Sequence, residues 1–113
     1  MSPRTSSAAA LHRSAPIFAA LGDETRLHVV SRLSAGGPLS ITELTKGTDV
    51  TRQSVTKHLE VLAAAGLVTD FRQGRERVFE LRTRRLEEAR RVLDQISREW
   101  DGALERLKAF VEE

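Results

Sequence analysis

A length of 113 residues, with 30% charged and 40% hydrophobic residues and only four Phe, one Trp and no Tyr, fits one globular domain whose core is Leu, Val, Ile and Ala. The absence of cysteine excludes disulfides, thiolate metal sites and cysteine nucleophiles, and no apolar run approaches the roughly 20 residues of a membrane-spanning helix. The net charge of +2 is unevenly placed, with eight Lys or Arg against four acids in residues 51–85 and five against eight in residues 86–113; such a basic middle is either the footprint of polyanion binding or a solvated face.

Residues 1–14, with Arg4, Arg13 and the short run Ala8-Ala9-Ala10-Leu11, read as a flexible lead-in rather than a signal peptide, because the apolar run is too short. The domain proper is expected over residues 15–113. Pro16 is placed to open a short helix, since its missing N–H falls where no helical partner exists. Gly22 ends that helix, and Asp23 caps the next, with Glu24 at the positive end of its dipole. Leu27, Val30, Ser31 and Leu33 continue at a helical period until Gly36-Gly37-Pro38 breaks it. Ser40-Ile41-Thr42-Glu43 is a capping box that starts a short helix, closed by Lys46-Gly47. Thr48-Asp49-Val50 is a turn and Thr51 caps a further helix. There Val55, Leu59, Leu62 and Gly66 line one face, while Gln53, Thr56, Lys57 and Glu60 occupy the other. The period then changes to two in Leu67, Thr69, Phe71 and in Arg77, Phe79, Leu81, two strands joined at Gln73-Gly74-Arg75. From about Thr83, Leu86, Ala89, Leu93, Ile96, Trp100, Ala103, Leu107 and Phe110 recur at steps of three and four, which predicts one long amphipathic helix. Its seam packs either on a second chain or on its own domain.

The fold class is therefore mainly α with a small β-hairpin (α+β), in the order α-α-α-α-β-β-α. Two helices joined by a short turn and followed by a hairpin form a winged helix-turn-helix, with Thr51–Ala65 as its recognition helix. Gln53 and Thr56 suit adenine and thymine edges, and Arg52 and Lys57 suit guanine or phosphate. Thr51 and Ser54, with the free N–H groups of the helix start, suit phosphate oxygens. His58 is either a packing or phosphate-facing histidine or a base reader. In the wing, Arg72, Gln73, Arg75 and Arg77 suit a minor groove and its phosphates, or simply keep a strand edge soluble. Arg26 either braces an acid such as Asp23 or reaches a phosphate. No Ser, Asp and His are arranged as a nucleophile beside a base, so no catalytic residues and no enzyme activity are expected.

The chain resembles the ArsR/SmtB-type family of winged-helix repressors. The resemblance lies in Phe18-Ala19-Ala20-Leu21-Gly22-Asp23-Glu24-Thr25-Arg26-Leu27, in Ile41-Thr42-Glu43-Leu44, in Ser54 through Leu62 with Ala65-Gly66-Leu67-Val68, and in the wing from Arg72 through Leu81. It covers about residues 16 to 111. It implies a cytoplasmic homodimer joined through the first and last helices, which places Ile17, Phe18, Leu86, Leu93, Ile96, Trp100, Leu104 and Leu107 at the interface and residues 83–111 in a dimerisation helix. It also implies binding to double-stranded DNA at a near-palindromic operator, and repression of the protein's own or a neighbouring promoter. Metal-sensing members carry a Cys pair in the short helix or an Asp/His cluster on the last one. Here Leu44-Thr45-Lys46 has no thiol and the last helix has no His, so neither metal nor cofactor is expected. An effector-gated sensor of a small molecule or of an atypical metal site across the dimer, and a protein-interaction module, are the alternatives.

Overall fold

The computed structural model describes the backbone of residues 3–112 and the side chains of residues 8–112. Five helices and three short strands follow in the order α1 (Pro3–Leu21), α2 (Glu24–Gly36), β1 (Leu39–Ser40), α3 (Ile41–Lys46), α4 (Arg52–Ala64), β2 (Val68–Gln73), β3 (Glu76–Leu81) and α5 (Thr83–Glu112). The helix starts are where side-chain oxygens can take orphan backbone N–H groups. Asp23 accepts from the Arg26 N–H at 3.0 Å, and Thr51 accepts from the Ser54 N–H at 3.1 Å. Ser40 and Glu43 close the capping box in both directions at 3.1 Å.

The fold class stands as expected, with two departures in detail. Pro16 does not open α1 but lies inside it, and the described part of the segment read as a lead-in is helical from Pro3. A proline removes one rung from the helical ladder, but Ser14 and Ile17 on either side of it are both buried and α1 packs along α5, so packing carries the helix through. The second departure is the third strand. Leu39 and Ser40 pair antiparallel with Phe79 and Val78, turning the hairpin into a sheet of order β1-β3-β2. A strand of two residues is too short to show a period; it exists only because β3 offers it a partner.

The hairpin register also sets the faces of the wing. Val68 is opposite Leu81 and Asp70 opposite Phe79, while Thr69 is opposite Glu80 and Phe71 opposite Val78. Directly opposed residues share a face, so Phe71 lies on the other face from Phe79. Leu67 stands outside the strand and ends α4 instead. Its N–H reaches back to Leu62 O and that of Gly66 to Ala63 O, both at 2.9 Å, a Schellman closure with Gly66 at φ +78. Leu67 is itself fully buried beneath this turn. The tip is a two-residue turn with Gly74 (φ +64) in the first central position, where a II′ turn needs glycine.

The core is one cluster in which Ile17 and Ala20 of α1, Val29, Val30 and Leu33 of α2, Ile41 and Leu44 of α3, Val55, Leu59 and Leu62 of α4, and Phe79 of β3 meet. α5 adds Ala89 to it and then runs on past the core, so that the chain is 67 Å in its longest dimension.

The two glycines at helix ends make opposite predictions. Gly66→Ala forces an L side chain into the left-handed region and should lower the unfolding free energy by about 1–2 kcal/mol. Gly36 has a negative φ and open space around it, so Gly36→Ala should raise the unfolding free energy by about 0.4–1 kcal/mol by restricting the unfolded chain. Urea unfolding of the two variants checks both signs.

Candidate nucleic-acid interface

α4 is held by three side chains. Val55, Leu59 and Leu62 are each 0% exposed, so the helix has one orientation on the core and its opposite face is fixed toward solvent. On that outer side Thr51, Arg52, Gln53 and Lys57 are exposed, while Ser54, Thr56 and His58 are half-buried at its margins. Besides the Thr51 cap, Arg52 and Thr56 are tied within the chain. Arg52 Nη1 donates to Thr42 Oγ1 at 3.0 Å, linking the start of α4 to α3. Thr56 Oγ1 donates back to Arg52 O at 2.9 Å, which leaves its methyl and its lone pairs for an outside partner.

His58 faces the junction of α1 and α2. Its Nδ1 lies 3.3 Å from Arg26 Nη1 and 3.7 Å from Asp23 Oδ2. A guanidinium only donates, so at the shorter distance the ring accepts and keeps its own N–H on Nε2. Arg26 also donates from Nε to Ala20 O at 2.6 Å and from Nη2 to Ala19 O at 3.5 Å. It thus neutralises the carbonyl end of α1 and reaches α4 with the same planar group. Of the two roles open to Arg26, the structure gives it a bracing one, but through helix carbonyls and His58 rather than through the carboxylate of Asp23. Arg32 is a second brace, which sequence reading missed. Its two terminal nitrogens donate to Leu44 O at 2.9 Å and Glu43 O at 3.0 Å, capping the far end of α3. A Cβ at Gly47 would overlap this guanidinium, so the glycine that closes α3 also makes room for its cap.

In the wing, Arg77 is held at the flank. Its Nε donates to Asp70 Oδ2 at 2.7 Å and its Cζ stands 4.9 Å from the centroid of the Phe79 ring. Arg72, Gln73 and Arg75 stand exposed at the tip. The remaining residues proposed from sequence lie on α1 and α5. Ile17 is 1% exposed and belongs to the core of its own chain, a correction to its place at an interface; Phe18 and Leu86 are half-buried against the same core. The cause is the close packing of α1 on the first turns of α5. Further along α5 the intramolecular contact is made by Ala89 and Val92, and Leu93, Ile96, Trp100, Leu104 and Leu107 are 44–63% exposed. Among the described residues, no three His, Asp or Glu side chains come close enough together to hold a metal ion, and no helix is long and apolar enough to cross a membrane.

This geometry matches known proteins. A model of a helix-turn-helix domain matches residues 21–70. An HTH-type transcriptional regulator of Mycobacterium tuberculosis is 44% identical over 85 residues, which is 75% of this chain and 76% of that protein. Another from Bacillus subtilis is 46% identical over 68 residues, 55% of this chain and 74% of that protein. The structure of an ArsR-like transcriptional regulator from Rhodococcus superposes with a TM-score of 0.72 at 35% identity, over 88% of this chain and 92% of that one. The chain belongs to the ArsR family of transcriptional regulators. As an ArsR-family protein it is a DNA-binding transcriptional regulator and not an enzyme.

The braces of this ArsR-family domain carry a pH signature. Asp23 is held below its ordinary 3.8 chiefly by the Arg26 backbone N–H, Glu43 below 4.5 by the Ser40 N–H, and Asp70 below 3.8 by its hydrogen bond from Arg77. A carboxyl whose native pKa is depressed contributes stability above its unfolded pKa and loses it as the pH falls through the native one. The part of the stability owed to these groups should be intact above about pH 4.5 and disappear below it. Urea midpoints measured from pH 6 down to about pH 2 should therefore fall less steeply for Glu43→Gln and Asp70→Asn than for the unaltered chain.

Proposed function

We propose that this ArsR-family regulator acts as a homodimeric repressor. Residues 15–113 form its DNA-binding and dimerisation unit, and the first half of α4 is the element that reads its operator. The observation that carries this reading is the two-sidedness of α4. Three fully buried anchors leave Gln53, Thr56 and Lys57 on one outer surface beside Thr51, Arg52 and Ser54, with the first acid, Glu60, a turn further on. Gln53 supplies paired donor and acceptor for adenine, Thr56 a methyl for thymine, and Lys57 and Arg52 the cations for guanine or phosphate. The Thr51 and Ser54 hydroxyls and the N–H groups of the helix start suit phosphate oxygens. His58, braced inward by Arg26, positions the helix rather than reading a base. Arg72, Gln73 and Arg75 at the wing tip reach the neighbouring minor groove, with Arg77 at their base.

The homodimer rests on a different observation. α5 leaves Leu93, Ile96, Trp100, Leu104 and Leu107 uncovered on one stripe, an apolar surface that a small monomeric domain does not leave to water. A second copy covers it and places the two α4 helices roughly 34–36 Å apart, one turn of duplex, which is what a near-palindromic operator requires. Repression follows by exclusion of polymerase from the overlapped promoter, in the cytoplasm where such promoters lie.

Fluorescence anisotropy against DNA from upstream of the protein's own gene, with chelator present and a scrambled duplex alongside, tests the assignment. Binding to the native duplex should have a Kd on the order of 10⁻⁸ M and exceed the scrambled control by at least about 10³-fold. Gln53→Ala with Lys57→Ala should abolish that preference while sedimentation still shows a dimer. Trp100→Glu with Leu104→Glu should give monomers and lose the operator as well. Equal, salt-sensitive binding to both duplexes would reject the sequence-specific reading.

A further inference from the structure

A cavity of about 680 Å³ opens between the C-terminal end of α4, the base of the wing and the beginning of α5, away from the face assigned to DNA. Four arginines line it: Arg13 of α1, Arg82 after β3, and Arg84 and Arg85 in the first turn of α5. Against them stands one acid, Glu88. Its Oε2 is 3.5 Å from Arg85 Nη1, is shielded from solvent and accepts no hydrogen bond. Among the described residues, the side chains of Arg13, Arg82 and Arg84 make no hydrogen bond or ion pair. The rest of the wall is small and partly apolar, with Ala63, Val68 and the Thr69 hydroxyl.

The cavity carries an excess of three positive charges that the chain does not balance. The cost is raised by position. No acid stands in the first turn of α5, where the helix dipole favours anions, and two arginines stand there instead. Local arrangements that break an electrostatic rule without internal compensation belong to functional sites. Guanidinium groups match the oxygen spacing of phosphate and carboxylate, and the volume falls within the roughly 300–1,000 Å³ of small-molecule sites.

The cavity is set apart from the residues assigned to DNA. α4 has 13 residues, so its two ends are about 18 Å apart, and the six residues of β2 set Val68 about 17 Å from the wing tip. The cavity therefore lies at the far ends of both elements from the residues assigned to DNA.

We propose that this cavity binds a small organic anion bearing a phosphate monoester or paired carboxylates. Arg82, Arg84 and Arg85 hold the charged group, and Ala63 and Val68 receive the remainder. The proposal does not depend on the operator or on dimerisation.

Calorimetric titration of the full chain with inorganic pyrophosphate, glucose 6-phosphate and citrate, each at an ionic strength matched with NaCl, tests it. At least one probe should bind saturably with one site per chain. Arg84→Ala with Arg85→Ala should weaken that binding by at least about tenfold, and Arg98→Ala, on α5 outside the cavity, should leave it unchanged. Glu88→Gln removes the internal counter-charge and should tighten binding several-fold, a gain that no loss of folding can produce. The proposal is overturned if no probe binds beyond the NaCl control, if Arg98→Ala weakens binding as much as the double variant, or if Glu88→Gln does not tighten it. It is equally overturned if the double variant leaves anion binding intact while flattening the salt dependence of binding to a scrambled duplex, which would make these arginines DNA contacts.

Discussion

Val55, Leu59 and Leu62 give up all contact with solvent, and the outer surface of α4 is arranged around that burial. A helix with three fully buried positions spaced by four and three has no freedom to roll about its axis without opening a cavity, at a cost of about 2–5 kcal/mol per truncated leucine. Its outer residues are therefore aimed by its inner ones. Gln53 and Lys57 need no partners of their own within the chain, because their Cα atoms are already placed. The same burial fixes where α4 ends. Leu62 accepts the N–H of Leu67, Gly66 takes the left-handed turn, and β2 starts one residue later with Val68 inward. The start of the wing is thus inherited from the packing of α4.

Polar ties then orient what the core leaves loose. Arg26 joins the end of α1 to His58, Arg32 caps α3, and Arg52 holds Thr42. Each uses a fixed guanidinium fork to collect helix-end carbonyls or a side chain from a neighbouring element. None is a fully buried ion pair, so none bears a large desolvation cost, and their contribution is geometric more than energetic. A tight carboxylate pair, Arg77 with Asp70, lies at the wing, where a short ribbon has little core to stiffen it.

Much of this could be read from the sequence because the signals are local. Asp23, Ser40 and Thr51 declare helix starts through chemistry confined to four residues, and the switch from a period of four and three to a period of two announces the wing. What was not legible depends on contacts distant in the chain. β1 is created by β3, nearly forty residues away. The passage of α1 through Pro16 is sustained by α5. Leu67, Thr69 and Phe71 read as one alternating strand, yet the closure of α4 takes Leu67 out of it, and the two-residue tip sets Phe71 opposite Val78, on the other face from Phe79. Ile17 and Trp100 are both apolar residues on the two outer helices, and only the packing of α1 on α5 decides that the first is inside its own chain and the second is not. Arg26 is open to reading as a brace but its partners are not, and Arg32 is missed, for the same reason: an arginine in a helix declares a charge but not a carbonyl partner.

α5 shows how one helix can serve two solvents. Its first turns carry Arg84 and Arg85 toward a polar cavity and Ala89 into the core. Its remaining turns carry Leu93, Ile96, Trp100, Leu104 and Leu107 outward with acids between them. The charge of the chain follows this division, basic through the hairpin to the start of α5 and acidic beyond it. The acidic stretch lies on the part of α5 that runs past the domain, where like-charge repulsion from DNA does no harm and keeps the polyanion to the basic face. An apolar stripe set among acids cannot lie against a phosphate backbone; in the proposed homodimer it meets its own copy. Charge therefore separates a basic surface from an acidic one along the chain, and the buried face of α4 and the uncovered stripe of α5 fix which side chains each surface presents.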